Sequence, residues 1–135
     1  GDVKLTVDLR NVDEEKLKQS EKLFEDALSD IAELEGVEIS TETLARFEPV
    51  KFDDRVACVI TQAANELGLS NKRMNSGAGH DAQMMARICP TAMIFVPSRD
   101  GISHNPKEHT DEHYLKSGAE VLLKTVQKID GGPVL

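Results

Sequence analysis

The stretch that decides the predicted fold is TAMIFVP, residues 91–97. It is a continuous apolar run of strand length, which is typical of a strand buried on both faces. A helix is predicted before it, from Asp53 or Asp54 to Gly68, with a short second helix over residues 81–88. The predicted buried face of the first of these two helices comprises Val56, Ile60, Ala63, Ala64 and Leu67. The order helix, strand, loop, helix predicts an α/β sheet layer.

After the strand, a last helix is predicted over residues 111–129, ended by Gly131, Gly132 and Pro133. Its predicted buried face comprises Leu115, Ala119, Leu122, Val126 and Ile129. These five residues recur at the spacing of one face of an α-helix.

The N-terminal third of the chain predicts strand, helix, strand. Alternating apolar residues at Val3, Leu5, Val7 and Leu9 predict the first strand. A helix of about 20 residues follows and ends at Gly36, because apolar residues recur at helical spacing up to a residue that favours helix ends. A second strand is predicted over 37–47, and Pro49 marks a domain boundary.

The composition excludes several classes of protein. The chain has 135 residues, of which 39% are hydrophobic and 30% charged, as expected of a globular domain. Its net charge of −8 argues against a nucleic-acid partner. No apolar run approaches the roughly 20 residues that span a membrane. Cys58 and Cys89 are predicted to be buried thiols, which favours a reducing, cytoplasmic location.

The segment SGAGHDA, residues 76–82, is the first candidate site. Its glycines allow the backbone to approach another molecule closely. The segment leads into a predicted helix that Asp81 is suited to cap. The alternative is an ordinary glycine-rich turn with a capping residue.

The loop GISHNPKEHT, residues 101–110, is the second candidate site. The imidazole of His104 is a suitable ligand for zinc or manganese, and Glu108 could orient it or cap the last helix. The alternative is a polar turn with a surface histidine. His109 and His113 have the spacing of paired ligands on a helix, but a solvated helix face is favoured for them.

Arg10, at the end of the first predicted strand, is the third. A guanidinium binds a carboxylate through two parallel hydrogen bonds. Asp8, two residues earlier, is expected on the same side, where it would hold or neutralise Arg10. The alternative is an ordinary arginine at a strand end. The chain has no Gly-x-Ser-x-Gly nucleophile motif and no Walker phosphate loop.

Three segments, VKLTVDLR (3–10), SGAGHDAQMMA (76–86) and AMIFVPSRDGISHNPKEHT (92–110), together resemble the N-carbamoyl-L-amino acid hydrolases, allantoate amidohydrolases and β-ureidopropionases. These enzymes belong to the zinc aminoacylase and carboxypeptidase clan. The resemblance implies the C-terminal part of such an enzyme. Residues 1–48 would belong to its lid and dimerisation domain, and residues 49–135 to its catalytic domain.

The resemblance also implies roles for these residues. His104 matches a metal ligand, and Arg10 matches an arginine that binds the substrate carboxylate. The residues matching the substrate site are Ser76, Gly77, Gly79 and His80. Glu108 and Asp81 would hold the binding residues in place without contacting the metal or the substrate themselves. No catalytic residue is assigned, because the family's His-x-Asp ligand motif, catalytic glutamate and substrate-binding asparagine are expected upstream of residue 1, and no His-x-Asp motif is expected within residues 1–135.

The implied enzyme holds two divalent metal ions, zinc or manganese. It hydrolyses a C–N bond of an N-carbamoyl amino acid or an allantoate-like ureido substrate that bears a carboxylate, and it forms a homodimer. The chain alone is expected to be inactive. The alternatives are a metallopeptidase or aminoacylase of the same clan, and a dimerisation module without catalysis.

Overall fold

The computed structural model describes residues 1–132, and the regular secondary structure in this range is helical. The elements are α1 (Glu14–Glu35), α2 (Asp54–Glu66), α3 (Ala82–Met85), a 3-10 turn (Arg99–Gly101) and α4 (Glu112–Asp130). Pro133, predicted to help end the last helix, lies outside the described residues. None of the helices within residues 1–132 is long and apolar enough to cross a membrane.

The predicted α/β architecture is wrong, because residues 1–132 contain no β-strand. In the first predicted strand, Val3 is 85% and Leu5 81% exposed. No backbone hydrogen bond of the described chain joins residues 3–9 to residues 37–47. A strand requires a neighbouring segment that shares its backbone hydrogen bonds. Alternation of apolar residues gives no information about whether that neighbour is present.

Residues 91–97 are not a strand either, and they are not buried on both faces. The first four are half-buried, whereas Phe95 is 57% exposed. Ile94 packs against the buried residues between α2 and α4. Val96 lies so close to α4 that a β-carbon added at Gly118 would be 2.6 Å from its Cγ1 atom. The apolar run therefore covers one side of the helix pair.

The chain forms two compact units. The first comprises Gly1–Lys51 together with Asn75–Ala78, and the second comprises Phe52–Met74 together with the residues from Gly79 onward. The assignment of residues 1–48 to a lid and dimerisation domain, and of residues 49–135 to a catalytic domain, stays a prediction.

The first unit is organised by α1, whose predicted position and end are confirmed. The side chain of Asp13 accepts a hydrogen bond from the backbone N–H of Lys16 at its start, and Gly36 ends it with a left-handed backbone (φ 61°). Leu17 is buried. Arg46 donates to Glu21 (2.9 Å) and Glu14 (2.7 Å), which ties the segment after α1 back onto the helix.

The second unit is organised by the contact between α2 and α4. Its buried residues are Val56, Val59, Ala63, Ala64, Val121 and Thr125. The buried face predicted for α2 is confirmed in part, since Ile60 is half-buried and Leu67 is 36% exposed. Small side chains dominate this contact, so the two helices can approach closely.

The prediction of which face of α4 is buried is wrong. Leu115, Leu122 and Val126 are each more than half exposed, while Val121 and Thr125 are buried. The Thr125 hydroxyl donates to the carbonyl of Val121 at 2.7 Å, so this polar group is satisfied inside the contact. α4 carries apolar residues around much of its circumference, so spacing alone does not determine which face meets α2.

The prediction of buried thiols is also wrong, because both Cys58 and Cys89 are exposed. Cys58 lies on α2 between the buried residues Val56 and Val59. Successive residues of a helix point in different directions, so an apolar run on a helix includes exposed positions.

Asp53 begins α2, and its carboxylate gives the second unit a testable dependence on pH. It accepts hydrogen bonds from the Arg55 side chain (2.7 Å) and from the backbone N–H of Arg55 (2.8 Å) and Val56 (3.4 Å). The Arg55 side chain, with smaller contributions from the backbone groups, lowers the pKa of Asp53 from 3.8 to about 2.

A lowered pKa in the folded state stabilises the fold above the unfolded pKa, and this stabilisation is lost as the pH falls through the folded pKa. We expect Asp53→Ala to lower the free energy of unfolding at pH 7, and the difference from wild type to shrink as the pH falls from 3.8 toward 2. Urea unfolding at several pH values measures this. The control Asp30→Asn, an exposed carboxylate of α1, should show no such trend. A difference that stays constant down to pH 2 would contradict the role of Asp53.

Candidate functional site

Arg10 lies in the first unit, where Asp8 holds it. Its Nε donates to both carboxylate oxygens of Asp8, at 3.0 and 2.9 Å, and its Nη2 donates to Oδ2 at 2.5 Å. Hydrogen bonding to Arg10 lowers the pKa of Asp8, and Asp8 raises the pKa of Arg10, so both are charged at neutral pH. The predicted contact between the two residues is confirmed, although the strand is not.

Arg10 also contacts the glycine-rich segment. Its Nη1 donates to the backbone carbonyl of Gly77, 67 positions along the chain. Ser76 is half-buried, and its hydroxyl oxygen accepts from the backbone N–H of Ala78 at 3.3 Å. Residues 75–78 and Arg10 thus belong to one unit. That these residues bind substrate stays a prediction.

Gly79, His80 and Asp81 belong to the second unit, beside the short helix α3. The ring Nδ1 of His80 accepts from the backbone N–H of Ala82 at 3.0 Å. This hydrogen bond orients the exposed ring of His80.

Asp81 does not cap α3, contrary to the prediction, because its side chain makes no capping hydrogen bond. Its backbone is already helical (φ −56°, ψ −26°), whereas a capping residue has an extended backbone. α3 is also shorter than predicted, four residues instead of residues 81–88. A supporting role of Asp81 in the site stays a prediction.

His104 lies on a loop whose two ends are joined. The backbone N–H of Arg99 donates to the carbonyl of His109 at 2.8 Å, and the Ser98 hydroxyl donates to the carbonyl of Ile102 at 2.5 Å. These bonds hold the loop at its base, so His104 is carried by an ordered turn.

The backbone of His104 is left-handed (φ 54°), and Glu108 stabilises this conformation. A carboxylate oxygen of Glu108 accepts from the His104 backbone N–H at 2.9 Å. The backbone N–H of Glu108 in turn donates to the carbonyl of Asn105 at 2.9 Å. Glu108 thus contacts the main chain of His104, not its imidazole.

The described residues fit a metal ion in part. His104 is exposed, and within residues 1–132 its ring makes no hydrogen bond, so its nitrogens are accessible. However, no group of three or more His, Cys, Asp or Glu side chains in this range is arranged to hold a metal ion. A catalytic zinc typically has three protein ligands. Residues 1–132 therefore do not hold a complete set of three ligands, and further ligands for an ion at His104 would have to come from other residues.

The expectation that the chain contains no His-x-Asp motif is wrong, because such a triplet lies at His109, Thr110 and Asp111. His109 Nε2 is 3.1 Å from Asp111 Oδ1, and Arg99 donates to the same oxygen at 2.8 Å. The Arg99 hydrogen bond is the main cause of the lowered pKa of Asp111. These residues close the base of the His104 loop. The spacing in the sequence was the signal that could have revealed them.

His109 and His113 do not form a ligand pair with a third residue in the described chain. The ring of His113 lies 3.9 Å from that of Tyr114, and both histidines are exposed. Both histidines are exposed as predicted, but only His113 lies on α4, whereas His109 precedes the helix and its ring contacts Asp111.

Comparison with known proteins assigns this chain to a family. Residues 3–128 match the family described as Peptidase family M20/M25/M40. The match extends over most of the chain, and the chain therefore belongs to this family.

Two curated relatives carry the names that the sequence motifs predicted. The allantoate amidohydrolase of Bacillus subtilis is 36% identical over 96% of this chain and 31% of its own length. An N-carbamoyl-L-amino-acid amidohydrolase of Rhizobium meliloti is 39% identical over 93% of this chain and 30% of its own length. The predicted resemblance is confirmed, and the chain spans about a third of the length of these relatives.

The backbone of this chain is also similar to that of a solved structure. The crystal structure of an amidase of the hydantoinase/carbamoylase family from Burkholderia multivorans superposes with a TM-score of 0.87 and 35% identity. The superposition covers 91% of this chain and 30% of that one.

Proposed function

We propose that this chain is the C-terminal part of a metal-dependent amidohydrolase that cleaves a C–N bond of an N-carbamoyl amino acid or an allantoate-like ureido substrate. The observation that carries the proposal is the match to relatives with these two activities over 93–96% of the chain. Since the chain spans about 30% of each relative, the remaining machinery would lie in other parts of a longer protein.

In this proposal Arg10 binds the substrate carboxylate. A guanidinium offers planar, paired donors that match a carboxylate, and fixing the far end of the substrate orients the bond to be cleaved. Ser76, Gly77, Gly79 and His80 line the substrate. The ring of His80, oriented through its Nδ1, would present Nε2 to a substrate oxygen.

His104 would be a metal ligand, with Glu108 holding its backbone in place and Asp81 in a supporting role. Two divalent ions, zinc or manganese, would supply the acidification of water and the polarisation of the scissile carbonyl that hydrolysis needs. The accessible ring of His104 supports its assignment. We assign no catalytic acid or base to this chain.

We further propose a homodimer in the cytoplasm. Apolar side chains exposed on α1, Leu23 at 62% and Leu34 at 81%, support a contact between copies of the first unit. Light scattering on the purified protein tests the dimer.

A second function has one observation in its favour. The matching family is described as a peptidase family, so cleavage of a peptide or N-acyl bond by a metallopeptidase or aminoacylase is the main alternative. A dimerisation module without catalysis is the other, and measurable turnover would exclude it.

The test compares substrates in the full-length protein that contains this chain. We expect hydrolysis of an N-carbamoyl amino acid or of allantoate, loss of activity with a chelator, and recovery with zinc or manganese. A dipeptide and an N-acetyl amino acid should be poor substrates. The 135-residue chain alone should show no turnover with either metal, because its described part groups too few ligands. Preferred cleavage of the dipeptide would replace the proposal with the peptidase alternative.

A further inference from the structure

The four hydrogen bonds of Arg10, three to Asp8 and one to Gly77, determine which of its N–H groups remain for a ligand. A guanidinium has five N–H groups. Asp8 occupies the edge formed by Nε and Nη2, and Gly77 accepts one hydrogen of Nη1. One hydrogen on Nη2 and one on Nη1 are then left. The remaining Nη2 hydrogen points toward the Nη1 side, because the other one lies alongside Nε–H and binds Asp8.

From this we infer that Asp8 is a positioning residue for carboxylate recognition: with the carbonyl of Gly77, it holds the guanidinium of Arg10 in one orientation and leaves one hydrogen on Nη1 and one on Nη2 for the substrate carboxylate. The inference rests on the proposed function of Arg10 and deepens it. The ligand class it specifies is a carboxylate that accepts hydrogen bonds from these remaining N–H groups.

Exposure favours this role over a purely structural one. The side chains of Arg10 and Asp8 are 62% and 60% exposed. Exposed ion pairs contribute little to stability because water solvates both partners well. An exposed arginine without partners would also sample many side-chain conformations, and ordering it on binding weakens affinity. Asp8 reduces that loss by ordering the side chain before the substrate arrives.

Asp8 has an opposing effect that makes the inference testable. Its negative charge partly cancels that of Arg10 and so weakens the attraction for a carboxylate. If charge dominated, Asp8→Ala would lower KM. If positioning dominates, as we infer, Asp8→Ala raises KM for the carboxylate substrate by about 10-fold or more, since misplaced binding groups cost up to about 100-fold in rate.

The experiment is a double-mutant cycle in the full-length, metal-loaded protein. KM and kcat are measured for wild type, Asp8→Ala, Arg10→Ala and the double variant, with the carboxylate substrate and its carboxamide analogue. We expect Asp8→Ala to act only on the carboxylate substrate and to have no further effect once Arg10 is removed. Asp8→Asn, which retains one acceptor oxygen, should fall in between. Asp2→Ala, which removes an exposed carboxylate of the same segment, is the matched control and should behave as wild type.

The outcomes distinguish a failure of the proposed role of Arg10 from a failure of the inference about Asp8. If Arg10→Ala affects both substrates equally, the proposed role of Arg10 fails. If Arg10→Ala is selective for the carboxylate but Asp8→Ala leaves KM unchanged or lowers it, only the inference about Asp8 is overturned. Equal losses on both substrates from Asp8→Ala would likewise overturn it, since they would indicate a structural role.

Discussion

Replacing His104 with alanine in the full-length protein is expected to lower kcat by more than about 100-fold, because removal of residues that only support metal ligands already costs 10–100-fold. If His104 is a ligand, its loss should also reduce the amount of zinc or manganese that copurifies. Elemental analysis and steady-state kinetics on the same sample measure both effects.

The left-handed backbone of His104 requires a second variant, since alanine tolerates this conformation poorly. Asparagine tolerates it better, so His104→Asn should remove the imidazole with less disturbance of the loop. His113→Ala, which removes an exposed histidine near the start of α4, is the control and should retain activity. Normal metal content and turnover in His104→Asn would exclude a ligand role.

Arg10 should give the other large effect. Arg10→Ala is expected to lower kcat/KM by about 100-fold for a substrate with a carboxylate, because the far end of the substrate is no longer held in position. Arg10→Lys keeps the charge but loses the planar pair of donors. It should therefore recover only a small part of the loss.

A matched arginine tests whether this effect is specific. Arg73 is about half exposed and donates to Asp54 at 3.3 Å in the second unit. Arg73→Ala should leave the discrimination between a carboxylate substrate and its carboxamide unchanged. Full recovery of activity in Arg10→Lys would show that charge alone suffices and that paired hydrogen bonds are not required.

α1 and α2 were predictable because the signals at their ends are local. Asp13 and Asp53 are capping residues, and Gly36 supports a left-handed helix end, so neighbouring residues alone determine these positions. The absence of strands was not predictable from residues 3–9 or 91–97. Whether an apolar segment pairs depends on another segment, which local patterns do not describe.

In the candidate site, too, some contacts were predictable from the sequence and others were not. The contact between Asp8 and Arg10 was predicted from their position on one side of a strand, and it forms although the strand does not. The contact between Arg10 and Gly77 joins residues 67 positions apart, so no local pattern could indicate it. For Glu108, spacing correctly placed the carboxylate near His104. It could not show that the main chain, and not the ring, would be the partner.

The left-handed backbone at His104 has a consequence for protein engineering. A residue other than glycine in a sparsely populated backbone region costs about 1–3 kcal/mol and persists where the surroundings enforce it. Selection for stability alone would favour glycine or asparagine at this position. Redesign guided only by stability would thus propose exchanging the residue to which we assign metal binding, and position 104 should be held fixed in any attempt to make this protein more robust.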